Sequence, residues 1–176
     1  AAPLRAAGLD RVTVSLDSLD PATAARMSGS ALPLERVLKG ITAATAAGFR
    51  NIKLNAVVRR GANDQEIAAL IDFAREHDHT MRFIEYMDVG MTNGWRLDEV
   101  VPAAEILAAI DARHPVEPIA PSRPGEVATR YRFLDGAGEV GIIASVTAPF
   151  CGDCTRARVS ADGQLYTCLF AASGLA

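Results

Sequence analysis

Arg11-Val12-Thr13-Val14-Ser15-Leu16-Asp17 sets apolar Val12, Val14 and Leu16 against polar Thr13, Ser15 and Asp17. This is the period-two pattern of a strand with one apolar and one polar face. Downstream, Asp20-Pro21 supplies an N-cap and first-turn pair for a short helix ending near Ser28-Gly29. Residues 34–47 carry Val37, Leu38 and Ile41 at helical spacing, and Gly48 closes that helix. A second strand is expected over 51–58. Asn63-Asp64-Gln65-Glu66 then reads as a capping box, with Asn63 as cap and Glu66 reaching back. It opens a helix with Ile67, Leu70, Ile71 and Ala74 on one face. A third strand is expected over 81–87 and a third amphipathic helix over 102–112, burying Ile106, Leu107 and Ile110. The β-α-β-α-β-α order predicts parallel strands joined by right-handed crossovers, in a barrel or an open sheet.

After residue 113 the pattern changes. Residues 114–125 hold four of the nine prolines and read as an extended connector. Segments 128–134 and 139–145 flank Asp135-Gly136-Ala137-Gly138, a hairpin signal. Segments 158–160 and 164–167 flank Ala161-Asp162-Gly163, a second one. Two regions are therefore expected, 1–113 and 114–176.

The 176 residues suffice for one domain with a core. Hydrophobic residues make up 49% and charged residues 22%, a folded soluble composition. No apolar run approaches the ~20 residues of a membrane span, and no signal peptide is evident, so a cytoplasmic setting without membrane attachment is expected. The net charge of −3 argues against a general nucleic-acid binder. The chain opens on Ala1-Ala2-Pro3-Leu4 without Met and stops at Gly174-Leu175-Ala176, and so reads as a fragment.

Buried parallel strands are usually nearly continuous apolar runs, and these are not. Thr13, Ser15 and Asp17 share a face, as do Lys53 and Asn55, and as do Glu85 and Met87. The polar faces are expected to point away from the helices, into either a ligand-bearing barrel interior or open solvent. Lys53 there needs water or an anion.

Cys151, Cys154 and Cys168 are the only cysteines, within 18 residues of one another. Such an odd, clustered set suits metal ligands better than disulfides. A C-x-x-C loop followed by a hairpin can bring three sulfurs together. They fit a [4Fe–4S] cluster with one open iron, a zinc site completed from elsewhere, a redox C-x-x-C with an unrelated third thiol, or a chance cluster. Arg156 and Arg158, two apart in an extended chain, point the same way and suit phosphate, or else form a solvated pair.

Cys151-Gly152-Asp153-Cys154-Thr155-Arg156-Ala157-Arg158 with Cys168-Leu169-Phe170 is joined by Val14-Ser15-Leu16-Asp17-Ser18-Leu19-Asp20 and Ile52-Lys53-Leu54-Asn55. Arg82-Phe83-Ile84-Glu85-Tyr86-Met87-Asp88 and Asn93-Gly94-Trp95 complete the set. Together these closely resemble the molybdenum cofactor biosynthesis protein A family, radical S-adenosylmethionine (SAM) enzymes that act as GTP 3′,8-cyclases. The resemblance covers nearly the whole chain. It implies the C-terminal part of a partial (β/α)6 TIM-type barrel, residues 1–113, followed by a β-hairpin-rich iron–sulfur module, residues 114–176. It implies that Cys151, Cys154 and Cys168 hold a [4Fe–4S] cluster whose open iron binds the guanine of GTP. Lys53, Arg156 and Arg158 are then GTP contacts, and Ser15 and Met87 SAM contacts. Arg82 and Glu85 receive no role.

In that family a second [4Fe–4S] cluster, on a C-x3-C-x2-C motif, cleaves SAM to the radical that takes hydrogen from the ribose C3′. C3′ then bonds to guanine C8, giving 3′,8-cyclo-7,8-dihydro-GTP, which passes to cyclic pyranopterin monophosphate synthase. This chain has no C-x3-C-x2-C motif, so the isolated polypeptide is expected to be inactive. A homodimer is compatible with the resemblance. The alternatives are another radical SAM enzyme with an auxiliary cluster and a non-enzymatic metal-binding module.

Overall fold

The computed structural model describes residues 1–29, 32–89 and 94–175. In chain order the elements are α1 (Ala2–Ala6), β1 (Thr13–Ser15), α2 (Pro21–Ser28), α3 (Leu34–Ala46), β2 (Lys53–Val58), α4 (Ile67–Glu76) and β3 (Thr80–Glu85). They continue with α5 (Ala103–Arg113), β4 (Val116–Ile119), β5 (Thr129–Phe133), β6 (Glu139–Ile143), β7 (Arg158–Val159) and β8 (Leu165–Tyr166). β1 to β6 form one sheet in the order β1-β2-β3-β6-β5-β4, and β7 and β8 form a separate two-stranded one. The β1–β2, β2–β3 and β3–β6 pairs are parallel, while β6–β5 and β5–β4 are antiparallel. The architecture is thus mixed α/β with a mostly parallel sheet, which runs unbroken past residue 113.

Register decides what each face does. Leu54, Ala56 and Val58 of β2 stand opposite Met81, Phe83 and Glu85 of β3, and all six are buried. Ile41 and Ala44 of α3, Leu70, Ile71 and Ala74 of α4, and Ile106 and Ile110 of α5 belong to the same core cluster as the five apolar ones. Each such large side chain contributes roughly 1.5–3 kcal/mol by leaving water. The other face carries Lys53, Asn55, Thr80 and Arg82. Ser15, Asn55, Arg82 and Gly141 align across four strands, and Arg82 Nε donates to Asn55 Oδ1 over 2.9 Å. A Cβ on Gly141 would stand 3.2 Å from Arg82 Cγ, so the glycine makes room for that arginine.

Several local expectations hold. Asp20 caps α2, accepting from Thr23 N at 2.7 Å, and Gly29 ends it at φ 58°. The Asp135–Gly138 turn joins β5 to β6, with positive φ at Gly136 and Gly138. Others need correction. Glu85 lies with Phe83 on the helix-covered face, because the strand alternation places both at odd positions. Asn63 and Glu66 form no capping box. Asn63 Nδ2 instead donates to Asp17 O and Val57 O, and its Oδ1 accepts from Arg59 N. The Glu66 carboxylate accepts from Ser18 Oγ and Leu19 N. Both side chains stitch the loops beyond β1 and β2, which satisfies more buried donors than a local cap does.

The proline-rich stretch holds strand β4, in which Pro118 stands opposite Tyr131. β4 is the last strand of the sheet, and an edge tolerates a residue with no N–H. Of residues 11–17 only Thr13–Ser15 is strand. Asp17 Oδ1 accepts from Val57 N at 2.8 Å, so a side chain continues the ladder where the backbone leaves it. Helix α1 was not anticipated. Of the Asn93-Gly94-Trp95 motif, Asn93 lies outside the described residues, while Trp95 Nε1 donates to Tyr86 O at 2.9 Å.

Candidate functional site

Cys151 sits in a 3-10 turn spanning Cys151–Asp153 that follows β6. Cys154 N returns to Cys151 O at 3.3 Å, which is how a C-x-x-C loop turns two thiols to one side. The β7–β8 hairpin then brings the chain back, with Ser160 N donating to Gln164 O at 2.9 Å. The return sets Cys168 beside the first two. All three thiols are free and exposed, and they line one cavity of about 260 Å³ together with Met87, Arg156 and Arg158. Met87 reaches it from just beyond β3, so this cavity lies at the C-terminal end of the parallel strands, where α/β folds place ligands.

Arg156 lies against the sulfur. Its Nε and Nη2 donate to Cys154 Sγ at 3.3 and 3.2 Å, and its guanidinium carbon stands 4.7 Å from the Phe150 ring centroid. The backbone N–H of Arg156, together with its guanidinium, holds the Cys154 thiol below its usual pKa, favouring the thiolate that ligates metal. Phe170 N donates to Cys168 Sγ at 3.4 Å.

The donor set fits an iron–sulfur group. Among the described residues the cavity lining contains three thiols and neither histidine nor carboxylate. Among the described residues no group of three or more His, Cys, Asp or Glu is gathered to hold a single metal ion. A cubane cluster presents its ligand positions on separate irons, so it asks thiolates to ring a space rather than meet at a point.

The structure does not bring Lys53 or Ser15 into that cavity. Lys53 opens β2 and lines a second hollow of about 340 Å³ with Arg82, Arg130, Ser122 and Glu126. Burial, reinforced by the charge of Arg82, lowers the Lys53 pKa, and Glu126 opposes this. Ser15, exposed on β1, lines a small hollow of about 150 Å³ with Asp17 and Ser18. A broad groove lined by residues 121–127 borders the first two hollows. It shares Ser122 and Glu126 with the Lys53 hollow, and Phe150 and Cys154 with the cysteine cavity.

Sequence reasoning passed over Arg82, Arg130 and Glu126. Arg82 was findable in principle: it shares a parity with Thr80 on β3, opposite to that of Phe83. Its match to Asn55 needs the β2–β3 register, which no local pattern contains.

Comparison with known proteins gives a consistent result. Residues 79–176 match the family Molybdenum Cofactor Synthesis C, and residues 1–74 match the Radical SAM superfamily. The chain is 60% identical over 174 residues to the GTP 3′,8-cyclase of Acidothermus cellulolyticus, covering 99% of this chain and 48% of that protein. It is 53% identical to the GTP 3′,8-cyclase of Xanthomonas axonopodis pv. citri, covering 99% and 52%. It is 51% identical over 182 residues to that of Synechococcus sp. strain CC9605, covering 97% and 52%. The chain spans about half the length of these relatives. Among the described residues no helix is long and apolar enough to cross a membrane.

Proposed function

The chain belongs to the Molybdenum Cofactor Synthesis C family, and on that premise we propose that it forms the substrate-binding part of a radical SAM GTP 3′,8-cyclase. The observation that carries the proposal is the gathering of Cys151, Cys154, Cys168, Arg156, Arg158 and Met87 around one cavity. In this reading the three thiolates hold a [4Fe–4S] cluster, which supplies an open iron site for the guanine. SAM and a second [4Fe–4S] cluster, for which this chain has no further cysteines, supply the hydrogen-abstracting chemistry.

The chain's own residues bind and orient. Arg156 and Arg158 give two guanidinium forks at the cysteine end. Lys53 and Arg82 give positive charge in the second hollow, where it would meet the phosphates. Phe150 and Phe170 add apolar surface to the lining of the same cavity. Met87 and Ser15 stand for the SAM side. The sheet is read as the C-terminal part of a partial (β/α)6 barrel in residues 1–113, continued by the hairpin-rich cluster module of 114–176. The product would pass to cyclic pyranopterin monophosphate synthase, in the cytoplasm, from a homodimer, and the isolated chain would not turn over.

The test is anaerobic reconstitution of the chain beside its Cys168→Ser variant. Wild type is expected to take up about four irons, as the assigned cluster type requires, and to bind GTP. Cys168→Ser should lose both. A variant that keeps full iron and GTP binding contradicts the assignment.

A further inference from the structure

Glu85, the last residue of β3, is fully buried at 0% exposure, yet no element of its own supplies it with a partner. Its carboxylate takes four hydrogen bonds, two per oxygen. Oε1 accepts from Ala103 N at 2.7 Å and from Thr147 Oγ1 at 2.5 Å, and Oε2 accepts from Val146 N at 2.7 Å and Thr147 N at 2.8 Å. These donors come from two separate segments, the first turn of α5 and the loop leaving β6. Pro102 precedes α5 and offers no side-chain cap. The carboxylate therefore stands in for it, at the end of a helix dipole that favours negative charge.

Burial works to raise the Glu85 pKa, and the bonds from Thr147, Val146 and Ala103 more than offset it, leaving it below the usual range. A buried carboxylate is expensive unless its lone pairs are filled, and here all four positions are. An apolar residue would serve if the only task were to fill space.

The placement points to a task. Two residues after Glu85 the chain reaches Met87, and four residues after Thr147 it reaches Cys151. Both line the cysteine cavity, as do Ser145 and Phe150 on either side of the bonded loop. We propose that Glu85 is a positioning residue: its carboxylate latches the loop that carries Cys151 and Cys154 onto the end of β3 that carries Met87, and so sets the geometry of the cysteine cavity. The function of that cavity rests on the GTP-cyclase reading, whereas the latch itself rests on geometry alone.

The experiment compares wild type with Glu85→Gln, Thr147→Val and Thr147→Ser. Gln presents an amide to donors, Val deletes the hydroxyl at constant shape, and Ser restores it. Thr147→Val keeps the carboxylate and all three backbone bonds, so it carries the test if Glu85→Gln does not fold. Hydrogen exchange on the iron-free protein is expected to show faster exchange over residues 146–154 in Glu85→Gln and Thr147→Val, with β2 unchanged and Thr147→Ser restoring protection.

After anaerobic reconstitution, a GTP titration followed by electron paramagnetic resonance is expected to show affinity weakened about tenfold in the same two variants, the loss of one hydrogen bond to a charged group. Thr147→Ser should again rescue it. A lowered melting temperature with unchanged exchange over 146–154 and unchanged GTP affinity would reduce Glu85 to a core anchor and overturn the proposal. If wild type itself binds no iron or GTP, the cyclase reading fails, and the exchange result alone decides for or against the latch.

Discussion

The Arg156 guanidinium donates from Nη2 to Cys154 Sγ over 3.2 Å and lies over Phe150 at 4.7 Å. One side chain thus touches both a thiol assigned to the cluster and an aromatic wall of the same cavity. A lysine could supply the charge, but not the planar stack or two donors to one sulfur. Arg156→Lys and Arg156→Ala are both expected to weaken GTP binding by roughly tenfold or more, as for a lost hydrogen bond to a charged group. Calorimetry with the reconstituted protein measures this. Wild-type affinity in Arg156→Lys would show that only charge matters at this position.

Lys53 works against the stability of the empty protein. Burial, then the Arg82 charge, lowers its pKa from the ordinary 10.5. A lysine depressed in the folded state costs stability while it is charged, and that cost fades as pH rises through its folded pKa. Lys53→Met is therefore expected to raise the melting temperature at pH 7, with the gain shrinking as pH rises toward 10.5. The same variant should bind GTP more weakly, because an anion is what compensates the charge. A Lys53→Met protein that is destabilised and still binds GTP normally would remove Lys53 from the site.

Asp17 offers a prediction of opposite charge. Burial raises its pKa above the ordinary 3.8, partly opposed by the bond from Val57 N. A carboxylate raised in the folded state lowers stability as pH rises through the window between the unfolded and folded values. Asp17→Asn keeps an oxygen for Val57 N and removes the charge. Thermal melts should find it more stable than wild type at pH 7, with the gain gone below about pH 3.8, where both are neutral. An equal or lower melting temperature at pH 7 would mean that the charge is compensated by other groups near Asp17.

The parts of the fold that were legible in advance share a local cause. Asp20 with Pro21, Gly29, Asp135 with Gly136, and the apolar spacing of Ile67, Leu70, Ile71 and Ala74 each act within a turn or two, so their neighbours in sequence suffice to read them. The gathering of the three cysteines around one cavity was legible for the same reason, since a short loop and a short hairpin carry all three thiols. What was missed depends on distant pairing. Asn63 and Glu66 fit the composition of a capping box, but loop partners 46 to 48 residues upstream, the donors Ser18 Oγ and Leu19 N and the acceptor Asp17 O, engage the same side chains instead. Pro118 reads as a breaker until β5 places it on an edge. Glu85 shares the parity of buried Phe83 within β3, but what makes a buried carboxylate tolerable there, donors from Ala103, Val146 and Thr147, lies far away in sequence.

The central claim, that Cys151, Cys154 and Cys168 hold an iron–sulfur cluster that receives GTP, is tested most directly on this chain by itself, since it has no other cysteine. The measurement is Mössbauer and electron paramagnetic resonance spectroscopy after anaerobic reconstitution, with and without GTP. The account predicts a single [4Fe–4S] signal that changes when GTP is added. Zinc without iron at the three cysteines, or a cluster whose spectrum is indifferent to GTP, would contradict it.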